Sequence, residues 1–295
     1  MGKPIRILLQ TTIPFIQDDW HSGRFSLLAG HLRSLTSENG EPLYDVTARD
    51  RDPDLTRPDT VLGSIDRSDF DELWLFAADT GEGLTPSDCE AITRFRKRGG
   101  GILSTRDHND LGSSLCTLGG IGAAHYFHTI NPDPDPSRAC RDDQDNQTID
   151  YPNYHSGANG DYQLIDPQGE LHEILKRPDG TAIEYFPAHP HEGGIGAPAG
   201  DESARVAAIG TSKATGRPFN LVVAFEQGRN GNGRAIAESS FHHFVDYNWD
   251  VHMGCPTGLI EPPGNEVERH PERLNDIKQY AANVARWLAP SRSAI

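Results

Sequence analysis

The reactive side chains of this sequence fall into a few groups dominated by histidine and carboxylates. Asp107-His108-Asn109-Asp110 comes directly after the apolar run Ile102 to Thr105. A histidine in that position can act as a general base or hold a metal, because its ordinary pKa lies near neutrality. The competing role is structural, a turn whose Asp and Asn side chains bond to nearby backbone. His242-His243 follows the strand-like run AIAESS, with Asp246, Asn248, Trp249, Asp250 and His252 close behind. Neighbours on an extended segment point to opposite faces, so one of the pair is expected to face a pocket and the other to pack structurally. In His189-Pro190-His191-Glu192 the two histidines are two residues apart and would share a face, so both imidazoles could reach one metal. His125 and His128 could do likewise on a helical turn. The cofactor such pairs imply is a divalent metal such as Zn, and each pair needs a third ligand that spacing does not locate. His21, in Asp18-Asp19-Trp20-His21, is one more candidate.

These groups need elements to position them. Leu73 to Ala77 is a short apolar run of the kind buried on both faces of a parallel sheet. Thr85, with Pro86 next and Asp88 three residues on, marks the start of a capped helix, and Gly99 lies beyond its end. Ile102 to Thr105 then reads as a second buried strand. Polar residues at the carboxyl end of such a strand lie where open α/β sheets bind ligands. Upstream, Ile5 to Gln10 and Tyr44 to Thr47 read as strands. Between them Ser22 is expected to cap a helix with Phe25, Leu28, Leu32 and Leu35 on one face. Downstream, residues 205–210 and 219–226 form an apolar strand pair. A glycine-rich turn at 228–234 then leads to a strand from Ala235 to Ser240, and Leu274 to Leu288 is an amphipathic helix. Alternating strands and helices imply an α/β fold with a doubly wound, mainly parallel sheet and helices on both faces. One domain over residues 1–295 is expected, interrupted at about 129–200 by a stretch rich in Pro, Asp and Asn. Its prolines exclude a regular helix or central strand over most of its length, leaving a long ordered loop or insertion.

Composition removes several classes of function. Against 43 acidic residues stand 27 Lys and Arg, a formal charge of −16, which argues against nucleic acid or an anionic membrane as partner. No run approaches the roughly 20 apolar residues that span a bilayer. The first residues enter a strand with no signal-peptide pattern, so a cytoplasmic location is expected. Cys89, Cys116, Cys140 and Cys255 lack CxxC or metal-finger spacing and read as free thiols. Asn146-Gln147-Thr148 matches a glycosylation acceptor, and with no export signal expected the match reads as accidental. The acidic run from Asp133 to Asp145 lacks the ligand order of an EF-hand calcium loop. No GxGxxG, phosphate loop or GxSxG occurs, so neither nucleotide binding nor a serine nucleophile elbow is supported.

The order of these parts resembles the class I glutamine amidotransferase-like superfamily, and within it the trehalose-utilisation (ThuA-like) branch. A first strand leads to a loop containing His21. A helix ending in Arg98-Gly99-Gly100-Gly101 leads through the 102–105 strand to His108. Leu118-Gly119-Gly120 is followed by His125, and Gly233-Arg234 begins the late strand that runs to His242-His243. The resemblance implies a flavodoxin-like sheet and action on carbohydrates or related polyols. In the superfamily's amidotransferases the turn after the central strand carries a cysteine nucleophile paired with a late histidine. Here that turn reads Thr105-Arg106-Asp107-His108, and the nearest cysteine, Cys116, lies beyond it, so cysteine-based glutamine hydrolysis is not expected. His242 or His243 matches the late histidine.

The expected function is therefore an enzyme in which His21, Asp107, His108 and one of His242 or His243 converge on a small polar, polyhydroxylated substrate. They would serve as acid–base groups or metal ligands in a hydrolysis, elimination or isomerisation. Association into a homo-oligomer stays open. A non-catalytic ligand-binding or assembly protein on the same fold is the alternative, since one scaffold hosts many functions. A hydrolase using Cys116 ranks last, because no neighbouring residue visibly lowers its thiol pKa.

Overall fold

The computed structural model describes residues 3–139, 142, 146, 148–227 and 231–290. Cys140, Asp143 and Asp145 of the acidic run, Gln147 of the glycosylation triplet and residues 228–230 of the glycine-rich turn lie outside the described residues. In chain order the strands are β1 (Ile5–Pro14), β2 (Tyr44–Arg51), β3 (Glu72–Phe76), β4 (Gly101–Thr105), β5 (His125–Tyr126) and β6 (Tyr162–Leu164), then β7 (Asp166–Pro167), β8 (Tyr185–Pro187), β9 (Gly194–Ile195), β10 (Ala204–Thr211), β11 (Pro218–Phe225) and β12 (Ala235–Glu238). The helices are α1 (Ser26–Ser34), α2 (Pro86–Lys97), α3 (Asp246–Trp249), α4 (Glu266–Arg269) and α5 (Leu274–Leu288). No helix among the described residues is long and apolar enough to cross a membrane.

Eight strands form one sheet in the order β2-β1-β3-β4-β12-β11-β10-β7. The first five in that order are parallel, and β11, β10 and β7 extend the sheet antiparallel. The uninterrupted apolar runs follow from burial on both faces. On β3, Trp74 and Phe76 face a core shared with α1 and α5, whereas Leu73 and Leu75 face a second core shared with α2. Thr85 caps α2 as its sequence requires: its side chain accepts from the Asp88 amide, and Asp88 accepts from the Thr85 amide. The first helix starts differently from expectation. His21, not Ser22, caps a short 3-10 turn at Ser22–Phe25, and α1 begins only at Ser26. The Asp246 carboxylate, brought from the far end of the chain, accepts from the Ser26 and Leu27 amides and so supplies the helix with its cap.

The described residues of the stretch at 129–200 carry short strands. β6 pairs with β8, β9 pairs with β5, and β7 joins the edge of the main sheet. Its last part lies against the carboxyl ends of β4 and β12, where the Gly193 amide donates to Ser239 and Arg106 Nη1 donates to the Gly194 carbonyl at 3.2 Å. Gly193 is required by this approach, since a Cβ there would stand 2.5 Å from Arg106 Nε and from the Asp107 carbonyl.

A buried polar network fixes that contact. The Glu192 carboxylate accepts from Gln163 Nε2 at 2.6 Å, Ser239 Oγ at 2.7 Å and Ser156 Oγ at 2.9 Å, and lies 3.2 Å from His243 Nε2. His243 Nδ1 is 3.0 Å from Glu238, whose other oxygen accepts from Tyr280 at 2.5 Å. Burial would strip the proton from His243, but the carboxylates of Glu192 and Glu238 win and push it up to about 10. The imidazolium thus joins a glutamate of the inserted stretch to a glutamate at the end of β12.

Removing His243 would leave two buried carboxylates without their cation, a change that typically costs about 3–5 kcal/mol. Because the folded pKa is raised above the ordinary 6.5, the contribution is complete below about pH 6.5 and fades as the pH rises through about 10. Denaturant unfolding should show the wild-type protein losing stability over this alkaline range. His243→Ala should be less stable at neutral pH and lack that limb, and identical profiles would contradict the assignment.

Candidate functional site

Asp107 lies two residues beyond the end of β4, and the turn that carries it is fixed by Arg106. That guanidinium is wholly buried, donates from Nη2 to the Asn109 carbonyl at 2.6 Å and lies 4.2 Å from the Phe127 ring centroid. Asp107 is itself buried, and its Oδ1 accepts from the His108 amide at 2.8 Å. Three imidazoles surround the carboxylate. His189 Nε2 is 3.1 Å from Oδ1, His108 Nδ1 is 3.4 Å from the same oxygen, and His242 Nε2 is 3.4 Å from Oδ2. The rings of His189 and His242 stack at 3.6 Å with an interplanar angle of 8°. They come from three places: the turn after β4, the inserted stretch and the segment after β12. All three converge at the carboxyl edge of the parallel strands, where this class of sheet binds ligands.

Burial alone would raise the Asp107 carboxyl, but the crowd of His108, His189 and His242 holds it well below the usual carboxylate range. Burial pushes His242 down, with Asp107 pulling the other way, and pushes His189 well down, helped by His242. At neutral pH the ionised carboxylate faces the His189 and His242 rings, which burial disposes to stay uncharged. Such a group can orient an imidazole as general base, or offer oxygen and nitrogen lone pairs to a cation.

The two adjacent late histidines separate cleanly. The segment is a 3-10 turn, Phe241–His243, capped by Ser240, rather than the extended strand its sequence implies. His242 still turns to Asp107 and His243 to the glutamate network. His21 caps the turn before α1 and packs edge-on against Phe15, with ring centroids 4.8 Å apart. The residue of that loop that reaches the cluster is its neighbour Trp20, which stands edge-on to His242 at 4.5 Å and is half-buried. The pair His189 and His191 also divides. His189 meets Asp107, whereas His191 directs Nε2 to Glu261 at 3.2 Å and keeps its ring 5.0 Å from that of His108. His125 and His128 do not share a helical turn. His125 lies in β5 with Nε2 bonded to Ser104 Oγ at 2.8 Å in the core, and burial pushes it down to about 3. His128 lies at the surface, its Nδ1 3.1 Å from the Tyr151 carbonyl. The only group of metal-ligating side chains among the described residues combines Asp107, His108 and His189, from two stretches that sequence spacing keeps apart. Cys89, Cys116 and Cys255 are free, and burial raises the Cys116 thiol to about 11, so little thiolate forms there at neutral pH.

Sequence reasoning did not find Asn159, whose Oδ1 lies 3.0 Å from His189 Nδ1 and sets that ring's orientation, nor the part played by Glu192. Neither has a recognisable motif. The one available signal was Gly193-Gly194 directly after His191-Glu192, a pair of glycines where another backbone must come close.

Comparison of the sequence with protein-family models and with curated proteins gives no match. Solved structures do match. A cytoplasmic protein of Salmonella typhimurium superposes with a TM-score of 0.51 at 12% identity, over 97% of this chain and 100% of that one. A cytoplasmic protein of Salmonella typhimurium LT2 gives 0.52 at 11% identity, over 97% and 100%. A ThuA-like protein of Bacteroides uniformis gives 0.50 at 11% identity, over 98% and 93%. At these identities the likeness is one of fold. The fold is one this chain shares with these proteins, a ThuA-like protein among them, in keeping with the ThuA-like fold that the sequence resemblance implied.

Asp107→Asn removes the negative charge that works against burial at His242 and His189. The imidazole proton signals of the variant should titrate at lower pH than in the wild type. Unchanged titration of both rings would show that the carboxylate does not act on them.

Proposed function

We propose that the chain is an enzyme that acts on a small carbohydrate-like or polyhydroxylated substrate, with Asp107 and its histidines as the acid–base centre. The observation that carries this reading is the convergence of His108, His189 and His242 on one buried carboxylate at the carboxyl edge of the sheet. Perturbed titratable groups gathered in this way favour catalysis.

Each residue has a role that its contacts support. With Nε2–H directed to Asp107 Oδ2, His242 keeps Nδ1 as its proton acceptor, and that atom has no hydrogen-bond partner among the described residues. A base held uncharged by burial can remove a proton from a substrate hydroxyl or from a carbon beside a carbonyl. Asp107 orients the ring and stabilises the imidazolium that forms. His108, partly exposed at 19%, is the member of the cluster nearest solvent and is suited to return the proton. Trp20 offers a half-buried aromatic surface beside His242, the kind of flat apolar wall that polar ligand sites combine with a few oriented polar groups. Hydrolysis, elimination and isomerisation of a polyol-like substrate all use such an acid–base pair.

The test is a screen of small sugars, sugar acids and glycosides with product detection by NMR, run beside His242→Ala. A positive substrate should lose at least about 100-fold in kcat in the variant, the scale of general acid–base catalysis, with unfolding behaviour unchanged. Turnover that survives His242→Ala would remove that residue from the mechanism. No turnover of any member of the panel, together with saturable binding of one, would favour the ligand-binding alternative.

A further inference from the structure

The geometry points to a first-row divalent cation, of which Zn²⁺ is the type, bound by Asp107 Oδ1, His108 Nδ1 and His189 Nε2. This inference deepens the proposed function by naming a cofactor for the same centre, replaces the proton-returning role of His108 with ligation, and rests on that reading only for the cation's purpose. The three donor atoms lie within 4.8 Å of one another. His189 Nε2 stands 3.1 Å and His108 Nδ1 3.4 Å from Asp107 Oδ1. Zn–N and Zn–O bonds of about 2.0–2.2 Å at tetrahedral angles place neighbouring ligand atoms about 3.3–3.5 Å apart. The 3.4 Å edge from His108 falls within that range, and the 3.1 Å edge from His189 is slightly shorter than it.

Three further features favour the polyhedron. His108 Nδ1 is buried, sits 3.4 Å from the carboxylate and makes no hydrogen bond with it or with any other described group. The Asn159 amide stands 3.0 Å from His189 Nδ1, and with Oδ1 accepting there Nδ1 carries the hydrogen and Nε2 is left to ligate a cation beside Asp107 Oδ1; in the other tautomer Nε2 donates to that oxygen instead. An outer hydrogen bond of this type, fixing the tautomer of a ligating histidine, is a regular part of metal sites. Lastly, the donors are two imidazoles and one carboxylate. That set suits zinc and its first-row neighbours rather than magnesium or calcium, which take oxygen. Three protein ligands is also the number found in catalytic rather than structural zinc sites.

His242 stands outside this donor set. It contacts the other carboxylate oxygen, Oδ2, so the cation and the base would share Asp107 without competing for it.

The decisive experiment uses the full chain, purified without an affinity tag, stripped with a chelator and titrated with Zn²⁺ by calorimetry. Elemental analysis of unstripped protein runs in parallel. About one equivalent is expected in the wild type and in His242→Ala, with affinity lowered at least about 10-fold in Asn159→Ala, as loss of an outer-shell partner typically does. His108→Ala should lose the binding. Because His108 is partly exposed, that variant should fold, and its unfolding curve checks this. No Zn²⁺ bound by the wild type, or equal binding by folded His108→Ala, would overturn the inference. Zinc bound without turnover of any polyol-like substrate would defeat the proposed function and leave the site standing. Turnover by a wild-type protein that binds no Zn²⁺ in the titration would do the reverse.

Discussion

The ion pair of His243 with Glu192 and Glu238 is the interaction on which the arrangement of the site depends. A proline-rich stretch has little regular structure of its own to hold it, and here the short strands β6, β8 and β9 contribute few ladder bonds. The glutamate network supplies the missing constraint. It is wholly buried, so each charge must be matched. Glu192 collects donors from Ser156 and Gln163 within the inserted stretch, from Ser239 beyond β12 and from His243. A carboxylate with that many partners has one place to sit. His191 and His189 are delivered with it, and His242 is delivered by its neighbour.

From this follows the division of labour between two adjacent pairs. In His242-His243 one ring serves the site and the next serves the fold. In His191-Glu192 the carboxylate anchors and the imidazole lines the cluster beside Glu261. Charged groups that hold a site in place are thus placed next to the groups they position, and an error in one register would displace both. Gly193 belongs to the same constraint, because the chain passes too close to Arg106 and Asp107 for any side chain. The sheet supplies the rest. β4 and β12 are parallel neighbours, Thr105 pairing with Glu238, so the residues just beyond their ends meet at one edge.

How legible this was depended on the range of the interactions involved. The capping box of α2, the doubly buried runs of β3 and β4 and the amphipathic α5 are local patterns, and all appear where the residues place them. The start of α1 was misread because its cap, Asp246, comes from 220 residues away. The cluster itself was legible in its parts. Asp107, His108, His189 and His242 each stood out by type and setting, but nothing local links His189 to Asp107, which lie 82 residues apart. Spacing therefore paired His189 with His191 and His125 with His128, where tertiary contacts pair His189 with Asp107 and leave His125 in the core against Ser104. His21 stands out by residue type, whereas Trp20 makes the contact.

The most direct test of this account is the coupling between the two halves of the anchor. Glu192→Gln, His243→Gln and the double variant can be compared by denaturant unfolding at neutral pH. If the buried pair joins the inserted stretch to the sheet, the double-mutant cycle should show a coupling of about 1 kcal/mol or more, as expected for residues in direct contact within one network. Effects that add to within about 0.5 kcal/mol would show the two groups acting independently, and would contradict the claim that this pair holds the site together.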